Sequence, residues 1–361
     1  MEGVIIKDYL LRDQLLQVMI DNKASDMYIT TEKHPAMKIG GEIIFIDRGL
    51  EPLTGDDTKK FAQSLMTEKQ SVYLIEEKNL DFAFEFNGTR FRGNISFQMG
   101  NYMVVLRRLS EKIPSLEDLK LPEIYSEITK VGQGLILVTG PTGSGKSTTL
   151  AAMIDYINAN YAKHIITIED PVEYRHKHKK SIIEQKEIGK DVPDYNKALI
   201  GAMRQNPQVI LFGEMRNTEE IEMALTLAET GHLVFSTLHT RSAYQTISRI
   251  IDSFEAGQQN QIRLQLADAL TAVFSQRLLK TQDGTGVKMV KEILVNNSAI
   301  GNLIRENQLH QIPSTMQMGV REGMQLLEKD IIELVNANII SLEEGLKYAN
   351  NPKLVKEKID S

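Results

Sequence analysis

The sequence predicts an α/β protein in two parts, a small α+β domain with an antiparallel sheet followed by a domain with a parallel sheet and crossover helices. Residues 80–108 contain strand-like runs separated by tight-turn residues, which favours antiparallel pairing. From about residue 123 onward, strand-like and helical runs alternate, as they do in parallel sheets. A charged, proline-bearing segment lies between the two patterns. We therefore expect domains at 1–108 and 123–361, joined by a linker at 109–122.

The first domain is predicted to start with an amphipathic helix over residues 7–22, where apolar residues recur at helical spacing. Residues 80–86 alternate with period two, which places Phe82, Phe84 and Phe86 on one face of a sheet. The pair Asn87-Gly88 then predicts a hairpin turn into a second strand.

Two arginines lie on that second strand. Arg90 and Arg92 are two residues apart, so a strand would present both on one face. By spacing alone, such a pair is most often a solvated surface. The functional alternative is a charge clamp that closes on a nucleotide in the manner of an arginine finger.

Residues 140–147, GPTGSGKS, fit the phosphate-loop pattern G-x-x-x-x-G-K-[ST]. A predicted buried strand precedes them and a predicted helix follows, which is the context that a phosphate loop requires. Glycines allow backbone N–H groups to turn toward the β-phosphate, and the helix N-terminus adds the positive end of its dipole. Lys146 is expected to reach the β- and γ-phosphates and the Ser147 hydroxyl to ligate Mg²⁺. The predicted nucleotide-binding residues are Gly140, Pro141, Thr142, Gly143, Ser144, Gly145, Lys146, Ser147 and Thr148.

Hydrolysis also requires one carboxylate that handles Mg²⁺ and another that orients water. The strand-like run 209–214 ends in Glu214, which is the usual Walker B layout. A second run, 165–173, ends in Glu169, Asp170 and Glu173. Both acidic ends are expected at the carboxyl edge of the sheet, where ligands of open α/β sheets bind. The alternative is that these acids are solvated loop charges.

Two histidines, His232 and His239, flank the predicted strand at 233–238. Lone histidines are more often structural than functional, but these could hydrogen-bond phosphate or respond to its loss. Because the chain has no cysteine and the two histidines are at opposite ends of a strand, we reject a metal site built from them.

The composition is ordinary for a soluble globular protein, with 25% charged and 42% hydrophobic residues. The net charge of −6 gives no basic field for nucleic acid or phospholipid. No stretch approaches the roughly 20 apolar residues of a membrane span. We therefore expect a cytoplasmic protein, and peripheral attachment to a membrane machine stays open.

Together these motifs resemble those of the secretion-superfamily ATPases, and specifically the type IV pilus retraction motors of the PilT and PilU family. The resemblance covers nearly the whole chain. It is carried by GPTGSGKSTT (140–149), TIEDPVEY (167–174), ILFGEMR (210–216) and AETGHLVFSTLHT (228–240). Residues 24–29, ASDMYI, also look like the family's N-terminal ASDLH motif, with Tyr28 in place of its histidine.

The resemblance implies a homohexameric ring whose chains pair a PAS-like N-terminal domain with a RecA-like ATPase domain that has a helical C-terminal part. ATP and Mg²⁺ are the implied cofactors. Glu169 would activate water, and Glu214 would help to hold Mg²⁺ through water. The catalytic set implied with Lys146 is Glu169, Glu214, His232, His239, Arg90 and Arg92.

Some of these roles come only from the resemblance. His232 and His239 would couple the nucleotide state to domain position. Arg90 and Arg92 would reach the nucleotide as the domains close, which reverses the preference for a solvated surface. Arg204 matches a family arginine near the site and is predicted to bind nucleotide.

Two departures from the family patterns bear on its subgroup. The retraction signature AIRNLIRE appears at 299–306 with Gly301 in place of arginine. The segments 105–109, 113–122, 154–156 and 344–349 look more like PilU. A PilU-like accessory to a PilT motor is therefore favoured. The implied partners are a PilT paralogue and an inner-membrane pilus platform protein, with the chain peripheral at that membrane.

Three rival functions follow from the same core. A pilus extension or type II secretion ATPase shares the motifs but usually carries a further N-terminal domain and a tetracysteine zinc module. A nucleic-acid motor is disfavoured by the acidic balance and by the lack of an aromatic-basic stripe, so no nucleic-acid partner is expected. A non-catalytic nucleotide switch is disfavoured by Glu169 and Glu214.

Overall fold

The structure is a computed structural model that describes residues 12–46, 51–109 and 112–360. The chain divides into two compact units, the first ending at Lys112 and the second beginning at Ile113. Within the second unit, Leu116 is buried beside Tyr125, so residues that follow the division pack on the second core.

The first unit is an antiparallel sheet with helices, which confirms the predicted α+β, PAS-like domain. Its strand order is β3-β2-β1-β6-β5-β4. The strands are β1 Asp26–Ile29, β2 Ala36–Ile39, β3 Glu42–Phe45, β4 Asn79–Phe86, β5 Thr89–Gln98 and β6 Asn101–Arg108. The helices are α1 Arg12–Asp21, α2 Gly55–Leu65 and α3 Glu68–Glu77.

The predicted hairpin between β4 and β5 is confirmed. Asn87 and Gly88 both have positive φ, at 47° and 79°, as a two-residue hairpin turn of type I′ requires. The alternation along β4 is also confirmed, because the Phe82 and Phe84 rings stack 5.7 Å apart on one face. The helix predicted over 7–22 is observed at Arg12–Asp21, and residues 7–11 lie outside the described part of the chain.

The second unit has a sheet with the order β13-β12-β7-β11-β10-β8-β9, parallel except for β13. The strands are β7 Gly134–Thr139, β8 His164–Glu169, β9 Ile182–Glu187, β10 Val209–Glu214, β11 Leu233–Leu238, β12 Leu270–Lys280 and β13 Val287–Val295. The helices are α4 Ile124–Glu127, α5 Lys146–Asn160, α6 Tyr195–Met203, α7 Thr218–Glu229, α8 Ala243–Asp252, α9 Gln259–Ala269, α10 Ser298–Arg305, α11 Ile312–Met318, α12 Leu327–Asn336, α13 Leu342–Tyr348 and α14 Pro352–Ile359.

Strand β7 is central and buried on both faces. Leu135 and Leu137 pack into one core with helices α6 to α10, whereas Ile136 and Val138 pack into a second core with α5. This two-sided covering explains why the parallel strands read as continuous apolar runs rather than alternating ones. Because β7, β8, β10 and β11 are parallel, their carboxyl ends meet at one edge of the sheet, as the sequence predicted.

A hairpin near residues 283–286 joins β12 to β13. The sequence did not predict that β12 pairs in parallel with β7 and so lies beside the phosphate loop. The helical C-terminal part predicted beyond that hairpin is confirmed, as α10 to α14.

Candidate nucleotide-binding and hydrolysis site

The phosphate loop joins the end of β7 to the start of α5. Gly140, Gly143 and Gly145 all adopt positive φ, at 146°, 77° and 88°. At Gly140 a side chain is also excluded by contact, because an added Cβ would lie 2.2 Å from the backbone oxygen of Gln276. Glycine is therefore required at this position both by backbone conformation and by the close approach of β12.

The Lys146 ammonium folds back onto its own loop. Its Nζ donates to the backbone oxygens of Gly140 at 2.9 Å and Pro141 at 3.1 Å. Burial lowers the pKa of Lys146, and the negative charges of Glu214 and Glu173 oppose that shift. A phosphate that replaces the two carbonyls would give this ammonium a negatively charged partner.

Gln276 on β12 supports the loop from behind, and sequence reasoning missed it. Its Oε1 accepts from Thr149 Oγ1 at 2.9 Å, and its Nε2 donates to the Ser144 backbone oxygen at 2.7 Å. The side chain is fully buried. One amide thus fixes both the turn of the loop and the first turn of α5. No local signal marks it, because its importance depends on the pairing of β12 with β7.

Glu214 ends β10 and faces basic side chains. Its carboxylate lies 3.2 Å from Arg216 Nε and 3.4 Å from His239 Nε2. The register between β10 and β11 shifts between Leu211 and Glu214, an irregularity of the kind that often re-aims a side chain beside a site. His239 is therefore placed at the phosphate edge, as predicted.

Glu169 ends β8 and has neutral hydrogen-bond partners. Its Oε1 accepts from Thr167 Oγ1 at 2.7 Å and from Gln185 Nε2 at 3.4 Å. Burial raises the pKa of Glu169, while the Thr167 hydrogen bond and nearby His176 hold it lower. A carboxylate with a raised pKa at a phosphate edge is suited to accept a proton from water.

Gln185 on β9 is a second residue that sequence reasoning missed. Besides contacting Glu169, its Nε2 donates to the Tyr174 backbone oxygen at 2.8 Å. Its Oε1 accepts from the His176 backbone N–H at 2.7 Å. Because the amide is fixed at both ends, it holds the segment after β8 against the sheet and orients Glu169.

The structure does not bring His232 to the phosphate edge. His232 precedes β11, where its Nδ1 lies 3.0 Å from the Leu227 backbone oxygen. The neighbouring Leu233 pairs with Gly134, the first residue of β7, so His232 is at the opposite edge of the sheet. A six-residue strand separates it from His239, a span of about 20 Å.

Arg204 is also at the opposite edge. It follows α6, and the backbone oxygen of the next residue, Gln205, lies 3.1 Å from His164 Nδ1 at the start of β8. Because β8 runs parallel to the strand that carries the phosphate loop, its start is the far edge. The predicted contact between Arg204 and a nucleotide on its own loop is therefore not supported by this geometry.

Arg90 and Arg92 belong to β5 of the first unit. They are paired with Glu85 and Ala83 of β4 and share one face, as predicted. Arg90 is buried, and Arg92 Nη2 lies 3.9 Å from Asp81 Oδ1.

The oxygen donors at the phosphate edge fit magnesium. In nucleotide sites Mg²⁺ takes one or two protein oxygens and completes its shell with phosphate oxygens and water. Ser147 at the start of α5 and the Glu214 carboxylate are donors of that kind. Within the described ranges no group of three or more histidines and acids is placed to hold a metal by itself.

The helices in the described part of the chain are all too short or too polar to cross a membrane.

Comparison with known proteins agrees with this geometry. Residues 2–285 match the family model described as type II/IV secretion system protein. The chain is 44% identical over 319 residues to a twitching motility protein of Neisseria gonorrhoeae, covering 88% of this chain and 84% of that protein. It is 37% identical over 340 residues to the type IV pilus ATPase PilU of Pseudomonas aeruginosa, covering 94% and 88%.

A crystal structure of the pilus retraction motor PilT with bound ADP matches with a TM-score of 0.88 at 44% identity, covering 95% of this chain and 98% of that one. The second unit is accordingly a RecA-like ATPase domain that follows the N-terminal domain along the chain. The chain belongs to the type II/IV secretion system protein family, among the type IV pilus ATPases represented by PilT and PilU.

Proposed function

We propose that this chain forms a homohexameric, Mg-ATP-driven ring that retracts type IV pili, and that it acts as a PilU-like accessory to a PilT motor. The observation that carries hydrolysis is Glu169, a carboxylate with a raised pKa that neutral donors hold at the phosphate edge. A chain that only bound nucleotide would have no use for a base oriented in this way.

In the proposed reaction, the loop N–H groups bind the phosphates, and Lys146 turns from the Gly140 and Pro141 carbonyls to the terminal phosphates. Glu169 accepts the proton of the attacking water. Glu214, with Ser147, would hold Mg²⁺, which neutralises charge on the phosphates. Arg216 and His239 fix the direction of the Glu214 carboxylate.

The remaining roles are proposed from the family resemblance. Arg90 and Arg92 supply positive charge to a nucleotide in the assembled ring. His232 couples the nucleotide state to domain position, together with His239. For Arg204 we propose no contact with the nucleotide on its own phosphate loop, because it lies at the opposite edge of the sheet. An inner-membrane platform protein is the proposed docking partner.

Replacing Glu169 tests the hydrolysis step. Glu169→Gln should reduce ATP turnover by about 10²–10⁴-fold and leave ATP binding intact, since only the proton acceptor is lost. Thr167→Val should shift the acid limb of kcat/KM to higher pH, because a hydrogen bond that lowers the Glu169 pKa is removed. The matched control is Glu184→Gln, whose carboxylate contacts His164 instead. Unchanged turnover in Glu169→Gln would show that Glu169 does not accept the proton of the attacking water.

The cellular role is tested by deleting the gene with and without its paralogue and scoring surface pili and twitching. Unretracted pili should accumulate in at least one background, and wild-type piliation in both would contradict retraction. Identity alone is higher to the PilT structure, 44%, than to PilU, 37%, so the accessory role rests on the PilU-like segments. A full retraction defect on deleting this gene alone, with the paralogue intact, would favour an independent motor.

The ring itself predicts a particle of six chains of 40.8 kDa in sedimentation with nucleotide.

A further inference from the structure

A cavity of about 450 Å³ lies against the phosphate loop on the side of Pro141. Three cationic residues, Arg241, Arg277 and Lys347, line it together with polar side chains. None of the described residues that line it is acidic. The walls therefore present positive charge and hydrogen-bond donors to whatever enters.

Arg277 gives the strongest sign that this cavity holds an anion. It is only 6% exposed. Its Nη2 donates to the backbone oxygen of Arg241 at 2.6 Å and to Asn350 Oδ1 at 2.5 Å. A guanidinium has five N–H donors. The other three, on Nε and Nη1, have no hydrogen-bond partner among the described residues.

Arg277 also has charged neighbours of both signs. Burial lowers its pKa, the negative charges of Glu292 and Glu328 oppose that shift, and the positive charge of Arg241 adds to it. Lys347 lies at the mouth, with its ammonium over the Tyr348 ring at 5.4 Å. An anion bound between Arg241, Arg277 and Lys347 would be stabilised by all three charges.

The place of the cavity in the site identifies the anion. Pro141 is both a wall of the cavity and the residue whose backbone oxygen holds Lys146 Nζ. Lys146 is the group that reaches the terminal phosphates of a bound nucleotide. A phosphate cleaved from ATP beside Lys146 would therefore lie next to a residue that the loop and the cavity share.

We propose that this cavity is a product site that receives inorganic phosphate before its release. The ligand is an orthophosphate anion, bound by charge-assisted hydrogen bonds from Arg277 and Arg241 and by the charge of Lys347. The site goes beyond the predicted nucleotide-binding residues, of which it shares only Pro141, and the proposal rests on the proposed ATP hydrolysis.

Inhibition of steady-state ATP turnover by added inorganic phosphate tests the site in the full chain. Arg241→Ala and Lys347→Ala remove exposed side chains and leave the buried Arg277 in place. Each should raise the half-inhibitory phosphate concentration about tenfold, as expected for one lost charge-assisted contact. The KM for ATP should stay within about twofold. Arg249→Ala, an exposed arginine on α8 that does not line the cavity, is the matched control and should behave as wild type.

A second measurement observes binding directly, as broadening of the ³¹P resonance of inorganic phosphate by the ADP-loaded protein. Broadening should be reduced in both variants. A rise in the KM for ATP that parallels the change in phosphate inhibition would mean that these residues contact bound ATP and would overturn a product site. Unchanged phosphate inhibition in both variants, with or without altered ring assembly, would overturn it as well. A wild-type chain without ATP turnover would contradict the ATPase assignment instead.

Discussion

Gly213 offers a sharp test of how the site is packed, because the cost of filling it has one identifiable source. It precedes Glu214 on β10, and its backbone is not in the left-handed region, so alanine can adopt the conformation. An added Cβ would, however, lie 2.6 Å from the hydroxyl oxygen of Tyr195. The next nearest atoms are Cζ and Cε1 of the same ring, at 3.5 and 3.8 Å.

Relief of the clash has to come from the Tyr195 ring, because the strand is held in place. The Gly213 backbone oxygen accepts from Ser236 Oγ and from Thr237 Oγ1, each at 3.1 Å, which ties the strand in place. We expect Gly213→Ala to cost about 1–3 kcal/mol of unfolding free energy, the usual range for overpacking. ATP turnover should fall as well, because any backbone shift moves Glu214.

Removing the hydroxyl should remove the penalty. In Tyr195→Phe the nearest atom to the new methyl is at 3.5 Å, an ordinary contact. Gly213→Ala should then cost less than about 0.5 kcal/mol, which gives a coupling of about 0.5–3 kcal/mol between the two sites. Tyr195→Phe alone should be close to wild type, because its hydroxyl makes no hydrogen bond to the described residues.

Urea unfolding and kcat/KM of the four proteins measure this cycle. The reasoning is refuted if Gly213→Ala loses the same stability in both backgrounds, since the hydroxyl contact would then not be the cause. Restored stability without restored turnover would mean that Gly213 affects catalysis by a route other than this contact.

Two other predictions follow from buried groups. Gln276→Leu leaves Thr149 Oγ1 and the Ser144 carbonyl without their partner, so it should lower the free energy of urea unfolding by about 1–3 kcal/mol and weaken ATP binding. The control is Gln261→Leu, at an exposed position. Equal stability of the two variants would contradict the supporting role of Gln276. Burial raises the pKa of Glu292 to about 7 from 4.5, with Glu328 and Arg277 facing it. The folded state therefore keeps a proton that the unfolded chain releases, so stability should fall by about 3 kcal/mol as pH rises from 4.5 to 7 and then level off. Glu292→Gln should flatten that interval in urea titrations at successive pH values, and an unchanged slope would assign it to other groups.

The parts of the site that the sequence could predict are those encoded by neighbouring residues. The phosphate loop is a contiguous pattern, and its glycines are required by the positive φ angles observed at Gly140, Gly143 and Gly145. Glu169 and Glu214 were identified because each ends an apolar run, and parallel strands end at a common edge. Local periodicity therefore located both the strands and the acidic groups at their ends.

The supporting residues could not be found in this way, because each depends on strand pairing that is distant in sequence. Gln276 lies 132 residues from the Ser144 carbonyl that it holds, and nothing near it marks β12 as the neighbour of β7. Gln185 similarly acquires its role from the pairing of β9 with β8. The placement of Arg204 and His232 required the strand order and direction, which a motif match does not contain.

The two acidic strand ends differ in their surroundings, and this difference supports the separate roles that we propose for them. Glu214 lies 3.2 Å from Arg216 Nε and 3.4 Å from His239 Nε2, contacts that hold its carboxylate in one direction. Glu169 faces the hydroxyl of Thr167 and the amide of Gln185, which orient it without adding a positive charge, and burial raises its pKa. A raised pKa makes a carboxylate a better proton acceptor, and burial gives Glu169 that property. Because both residues are glutamates, we expect their functions to be exchanged only when these surroundings are exchanged.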